Sequence, residues 1–265
     1  MSSYLITGVS RGLGFTFLEK VSSDPSNTVI GIVRNAADTK SKIASWNRSN
    51  IHIVQADLAK YESLKAAVEA VSAITPSLDY LIGNAGQNPS YGAFEYLSKQ
   101  DPVRLTTEFK DLYNANVIGQ IHLINLFMPL VLKGKTKKVI AISTGMADVD
   151  LTLNYDIFES AAYSASRAAM TMIVAKLQVE WKKEGVLIMA ISPGAVDTGH
   201  LAEMTPEQQQ GGMIMAGKFK AYAPEWNGFI TPEESVREVL KTIENASLEK
   251  DAGAFVSHFG NKQWL

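Results

Sequence analysis

The 265-residue chain has no cysteine, which excludes disulfides, thiolate metal sites and a cysteine nucleophile. Its four histidines, His52, His122, His200 and His258, are scattered without metal-ligand spacing, so no metal is expected. Neither sign of charge is in excess: Lys and Arg total 25 against 27 for Asp and Glu, a formal net charge of −2. That balance excludes a broad footprint for nucleic acid or anionic lipid, while leaving room for a local basic pocket. The N-terminus lacks a basic segment followed by a long apolar one, so no signal peptide is expected. Apolar runs such as 139–142 and 123–132 are short, the second broken by Asn125 and Pro129, and fall below the ~20 residues of a membrane span. The expectation is a soluble, cytoplasmic protein with no membrane and no nucleic-acid partner.

What is present is an ordinary globular composition, 46% hydrophobic and 20% charged, in a length that suits one large domain with a sizeable core. Seven short apolar runs read as strands buried on both faces: 4–7, 28–33, 51–55, 80–82, 138–143, 186–192 and 254–257. Helical patterns fill the gaps at 13–21, 36–46, 61–71, 103–132, 163–184 and 232–244, with Pro129 expected to bend or end the fourth. Strands alternating with helices imply βαβ crossovers: an α/β fold, a single Rossmann-type domain over 1–265 with a doubly wound, seven-stranded parallel sheet covered by helices on both faces. The stretch 199–230, rich in Gln, Gly, Met and aromatics, reads as irregular, a lid insertion over a site.

The first strand runs into Thr7-Gly8-Val9-Ser10-Arg11-Gly12-Leu13-Gly14. Glycines there permit a tight turn and close backbone approach, and the helix N-terminus that follows presents unpaired N–H groups to a pyrophosphate. The acid that would meet a ribose 2′-hydroxyl at the end of strand two is missing; Arg34 stands there instead, with Arg11 in the glycine turn. Two guanidinium groups suit a 2′-phosphate, so NADP(H) is expected rather than NAD(H).

With these residues in view the chain resembles the short-chain dehydrogenase/reductase family over nearly its whole length. TGVSRGLG looks like the family's TGxxxGxG turn, contributing Gly8, Ser10, Arg11, Gly12, Leu13 and Gly14. Asp57-Leu58 resembles the pair that meets the adenine, and Gly83-Asn84-Ala85-Gly86 the NNAG motif with Gly in place of the first Asn. Asn116-Val117-Ile118-Gly119 matches the segment carrying the family's catalytic Asn, and Pro193-Gly194-Ala195-Val196-Asp197-Thr198 the PGxVxT segment beside the nicotinamide. The C-terminal half, with TPEES and FGN, looks most like sniffer-type carbonyl reductases and fungal ketoreductases. The resemblance implies cofactor contacts from these motifs, together with Arg34, Asn84, Ala85, Gly86, Pro193, Gly194, Val196, Thr198, Tyr163 and Arg167.

The catalytic motif departs from the family pattern. YxxxK is replaced by Tyr163-Ser164-Ala165-Ser166-Arg167, and the preceding serine aligns with Thr144, Ser143 being the fallback. Thr144 and Tyr163 are 19 positions apart, so 148–159 reads as an inserted acidic loop at the mouth of the site. The resemblance makes Tyr163 the general acid. A free phenol has a pKa near ~10 and needs a cation beside it to work near neutrality. Arg167, one helical turn on, supplies that charge and ribose hydrogen bonds, but it does not titrate as a lysine would. Thr144 keeps a hydroxyl for the substrate oxygen, and Asn116 would bend its helix and hold a water.

The expected function is NADPH-dependent reduction of a carbonyl or imine in a bulky, largely apolar small molecule, in secondary metabolism. The alternative is an NADP-binding protein of this fold whose redox turnover is reduced or lost, performing a cyclisation or isomerisation or only binding. An apolar lining is expected from Tyr91, Phe94, Tyr96, Tyr155, Phe158, Met204, Met213, Met215, Phe219, Tyr222 and Trp226. Helices 103–132 and 163–184 correspond to the pair through which family members form dimers or tetramers. Their outer faces would carry Phe109, Leu112, Ile121, Met170, Ile173, Val174 and Leu177, and a homodimer or homotetramer is expected.

Overall fold

A computed structural model describes residues 1–199 and 204–265. Seven strands, β1 (Ser3–Thr7), β2 (Thr28–Val33), β3 (Ile51–Gln55), β4 (Tyr80–Gly83), β5 (Lys138–Ile142), β6 (Leu187–Ser192) and β7 (Phe255–Ser257), form one sheet in the order β3-β2-β1-β4-β5-β6-β7. Every pairing is parallel. The strand order reverses between β1 and β4, and a crevice for a ligand opens at such a switch point, beyond the carboxyl ends of the strands.

Both faces of the sheet are covered because successive strand residues point to opposite sides. In β5, Val139 and Ala141 pack on one side, with Leu64 and Val71 of α3 (Tyr61–Ile74), Phe127 and Val131 of α5 (Gly119–Leu132), and Met170 and Val174 of α7 (Ala161–Trp181). Ile140 and Ile142 pack on the other, with Phe17 and Leu18 of α1 (Gly12–Ser22) and Val236 and Val239 of α9 (Pro232–Asn245). At the amino ends of the strands, Asp79 ties three of them together. Its carboxylate accepts from Ser3 N–H (2.9 Å), Ser3 Oγ (3.1 Å), Lys135 N–H (2.9 Å) and Thr136 N–H (3.2 Å). Burial alone would raise the Asp79 pKa, but these hydrogen bonds outweigh it and hold the carboxyl below its ordinary range.

Four expectations need correction. Pro129 does not end its helix: α4 (Pro102–Tyr113), a π-helical turn at Asn114–Ile118 and α5 form one continuous rod from Pro102 to Leu132. At 31 residues this rod is long and apolar enough to span a membrane, yet more than half of its most apolar window is buried inside the fold. The interval 199–230 is not irregular, since Pro206–Tyr222 is helical (α8), started by a capping box between Thr205 and Gln208; residues 200–203 of that interval lie outside the described residues. The inserted 148–159 segment likewise contains a short helix, α6 (Val149–Asn154). Finally, Leu112, Met170, Val174 and Leu177 point into the core rather than outward; Val103, Ile118, Met172 and Val179 are the exposed large apolar residues on those helices.

Candidate active site

The glycine turn sits at the carboxyl end of β1, where Gly8 and Gly12 have positive φ (76° and 55°). At Gly8 a Cβ would come within 3.0 Å of Ala85 Cα, and at Gly14 it would collide with the Gly8 carbonyl oxygen. The turn therefore works only without side chains at these positions. Helix α1 begins at Gly12 with Arg11 extended at its N-cap, no capping side chain and no acidic residue in the first turn. Its uncapped N–H groups and positive dipole end suit an anion. Thr198 packs its methyl 3.3 Å from where a Gly12 Cβ would lie, so the segment after β6 closes on the turn. Within that segment Pro193 O accepts from Ser235 Oγ (2.6 Å), Gly194 (φ 87°) rests against His258, and Val196 bridges to Ile230. His258 is buried with Nδ1 unpartnered among the described residues, and burial lowers its pKa against the weaker opposing pull of Glu238.

Arg34 at the end of β2 and Arg11 in the turn are both exposed. A third cation reaches the same place, because Lys42 Nζ lies 3.4 Å from the Ser10 carbonyl oxygen and 2.9 Å from Asp38. Asp57 is turned back on its own loop, accepting from Ala59 N–H (3.1 Å), while its N–H is held by Ser63 Oγ. Leu58 is pinned by its carbonyl against Gly119, where a Cβ would come within 2.6 Å.

Beyond β4, Asn84 Nδ2 donates to Thr7 O (2.9 Å) and Ala85 N–H to Thr7 Oγ1 (2.9 Å), locking the two strand ends together. Asn116 lies fully buried in the π-helical turn. Its Oδ1 accepts from Gln87 N–H (2.7 Å), and its Nδ2 donates to Gln87 O (3.0 Å) and Ser166 Oγ (3.1 Å). The whole side-chain amide is thus committed within the protein. Between these anchors is Gly86, and over it lies the guanidinium of Arg167.

Helix α7 places Tyr163 and Arg167 one turn apart, with the guanidinium carbon 5.2 Å from the centre of the tyrosine ring. Arg167 is 6% exposed; Nη1 donates to Ile142 O (3.1 Å), Nε has no partner, and no carboxylate pairs with it among the described residues. A buried cation without a counter-charge is costly and is retained where a ligand completes it. The uncapped helix, the side-chain-free cradle and this orphaned guanidinium all fit a phosphorylated dinucleotide. Ser143 turns its hydroxyl toward Thr171 Oγ1 (3.5 Å), into α7, whereas Thr144 is partly exposed and accepts from Met146 N–H at 3.3 Å.

The expected apolar lining is largely used elsewhere. Tyr155, Met215, Phe219, Tyr222 and Trp226 form a satellite core with Leu151 and Trp264, and Tyr91 packs under Arg104 (3.9 Å). Met213 is exposed, whereas Phe94 meets α8, its ring against Gly211, where a Cβ would come within 2.5 Å. Tyr96 stacks on Phe158 (4.1 Å) beside clefts of about 660 and 500 Å³; the smaller has Ser164 in its wall, and neither has Tyr163, Arg167 or Thr144. Sequence reading missed Trp264, whose ring lies where a Gly145 Cβ would point, next to Thr144. It also missed Lys218 of α8, which pairs with buried Glu159 (2.6 Å) and lies 4.1 Å over Phe158.

A family model described as "short chain dehydrogenase" matches residues 3–209. The chain is 47% identical to the short chain dehydrogenase virK of Hypocrea virens and 47% identical to the short-chain dehydrogenase/reductase iacC of Pestalotiopsis fici; each alignment covers 100% of both chains. Among solved structures, an NADPH-bound carbonyl reductase from chicken fatty liver superposes with a TM-score of 0.78 at 22% identity, covering 98% of each chain. The carbonyl reductase Sniffer of D. melanogaster does so with a TM-score of 0.77 at 21% identity, again covering 98% of each.

Proposed function

The chain belongs to the short-chain dehydrogenase/reductase family, and from that premise we propose that it is an NADPH-dependent reductase of a carbonyl or imine in a bulky, largely apolar small molecule. The observation that carries the reading is the buried guanidinium of Arg167, without a carboxylate partner among the described residues, beside the Tyr163 ring. Bound NADPH supplies a hydride. Tyr163 gives its phenolic proton to the substrate heteroatom, and Arg167 stabilises the negative charge left on the phenol, with free guanidinium donors for the nicotinamide ribose. Thr144 is the hydroxyl that orients the substrate oxygen. Arg11 and Arg34, with Lys42 beside them, meet the 2′-phosphate; Gly8 to Gly14 receive the pyrophosphate; Asp57, Leu58, Asn84, Ala85, Gly86, Pro193, Gly194, Val196 and Thr198 wall the remaining cofactor surface. The fungal relatives, short-chain dehydrogenases by name, suit a place in secondary metabolism. Copies associate through α5 and α7, with Ile118, Met172 and Val179 exposed along that rod and helix.

The test is the loss of reduced-nicotinamide absorbance when the protein meets NADPH and a panel of activated aryl ketones and imines. Conversion is expected, with a drop of at least ~10²-fold in Tyr163→Phe, the usual contribution of a positioned general acid. Conversion untouched by Tyr163→Phe overturns the reading. NADP(H) bound tightly with no oxidation across the panel points to the non-redox alternative, which the fully committed Asn116 amide and the arginine in place of the family's lysine favour, since both weaken resupply of the phenolic proton.

A further inference from the structure

The family's NNAG begins here with Gly83, and the space so vacated is occupied from another element. Gln120, fully buried in the first turn of α5, lays its side-chain oxygen against Gly83, where any Cβ would collide with it. Its Nε2 donates to Ala85 O at 2.5 Å. Four residues earlier on the same rod, Asn116 grips Gln87 through both N–H and O. Residues 116 and 120 share a helix face, so one rod holds the backbone on both sides of Gly86. Gly86 is the position over which the Arg167 guanidinium lies so closely that a Cβ would strike Nη2.

We propose that Gln120 is a positioning residue that, admitted by the glycine at 83, fixes the Ala85–Gly86–Gln87 backbone as the seat of Arg167. A flat guanidinium presses on a wider patch of that backbone than a lysine stem does, so two of the departures from the family pattern, Gly83 and Arg167, are linked through Gln120. The inference rests on the cofactor reading only for its functional consequence; the seat itself is a property of the protein alone.

The test is a double-mutant cycle of Gln120→Met, which keeps shape and removes the hydrogen bond, with Arg167→Lys. The first readout is amide exchange in protein without cofactor. Exchange at Ala85 and Gln87 should accelerate roughly fivefold or more in Gln120→Met, the worth of one buried hydrogen bond, with the β1 and β5 amides unmoved. The second is NADPH affinity: Gln120→Met should weaken it about fivefold in the wild-type background and hardly at all in the Arg167→Lys background, giving a non-additive cycle. Gly83→Ala should reproduce the loss in wild type and be tolerated with Gln120→Ala; if Gly83→Ala does not fold alone, the Gln120→Met arm decides. Unchanged exchange, or additive losses, overturns the proposal. Failure of the reductase reading would show in Tyr163→Phe and leave the exchange result standing.

Discussion

Arg167 is the residue on which the proposed chemistry turns, and its environment distinguishes it from a surface arginine. Its Cα is set by α7, but its guanidinium is set by what is absent elsewhere: a side chain at Gly86 and a carboxylate partner among the described residues. Gly86→Ala should therefore lower NADPH affinity and turnover together by more than about tenfold while leaving the sheet intact, because the added methyl displaces Nη2 and the nearby Asn116 Oδ1. Titration of cofactor fluorescence alongside circular dichroism checks this; wild-type affinity in a folded Gly86→Ala protein contradicts it. The Tyr163–Arg167 pair was legible from its spacing, since residues four apart meet on a helix. Gln120, Trp264 and Asp79 were not, because their partners are brought together only by the fold. Alignment ranks Thr144 ahead of Ser143; what needed the structure was that the Ser143 hydroxyl faces α7 while Thr144 is left partly exposed.

At the scale of elements, α8 is fastened rather than loose. Lys218 of α8 donates to Glu159 Oε1 (2.6 Å) and Asp156 O (2.7 Å) and caps a stack that continues through Phe158 to Tyr96. Glu159 is 2% exposed and its second oxygen has no partner among the described residues, so removal of Lys218 leaves a buried charge uncompensated. Lys218→Met should destabilise by about 3–5 kcal/mol and speed amide exchange across α8, and Lys218→Met with Glu159→Gln should recover most of that loss. Thermal denaturation of the three variants measures it; a double variant no better than Lys218→Met argues against the pair. The helix itself could have been read. Thr205-Pro206-Glu207-Gln208 carries the same start signal as Thr231-Pro232-Glu233-Glu234, which opens α9. What obscured it was the middle of α8, with Gly211, Gly212 and Gly217 and only Phe219 fully buried, so that no apolar stripe marks the helix. Gly211 is there because Phe94 needs its space.

For the whole molecule, the site at the carboxyl ends of the strands depends on a knot at the amino ends. Asp79 fixes the starts of β1, β4 and β5 relative to one another, and with them the alignment of the Thr7 and Asn84 ends above. Asp79→Asn should cost about 1.5–3 kcal/mol at neutral pH, the range for hydrogen bonds to a charged group. The folded-state pKa lies below the unfolded value, so this stability is present above pH ~4 and is lost as pH falls through the folded pKa. Urea denaturation of both proteins from pH ~7 downward should therefore show the gap closing on the acid side; a gap independent of pH would mean that the carboxylate's charge contributes nothing.

The alternation of apolar strands and amphipathic helices, the glycine turn and the YxxxR spacing were fixed by local chemistry: side-chain periodicity, freedom at positive φ and one-turn neighbours are properties of short segments. They determined the α/β architecture, the seven strands to within a residue or two at their ends, and the segments from which the candidate site is drawn. Strand order, the unbroken run through Pro129, the seating of Arg167 on Gly86, and the holding of that seat by Asn116 and Gln120 were decided by tertiary structure alone. Each depends on which distant atoms fill a given volume, and close packing of the interior settles that only once every element is in place.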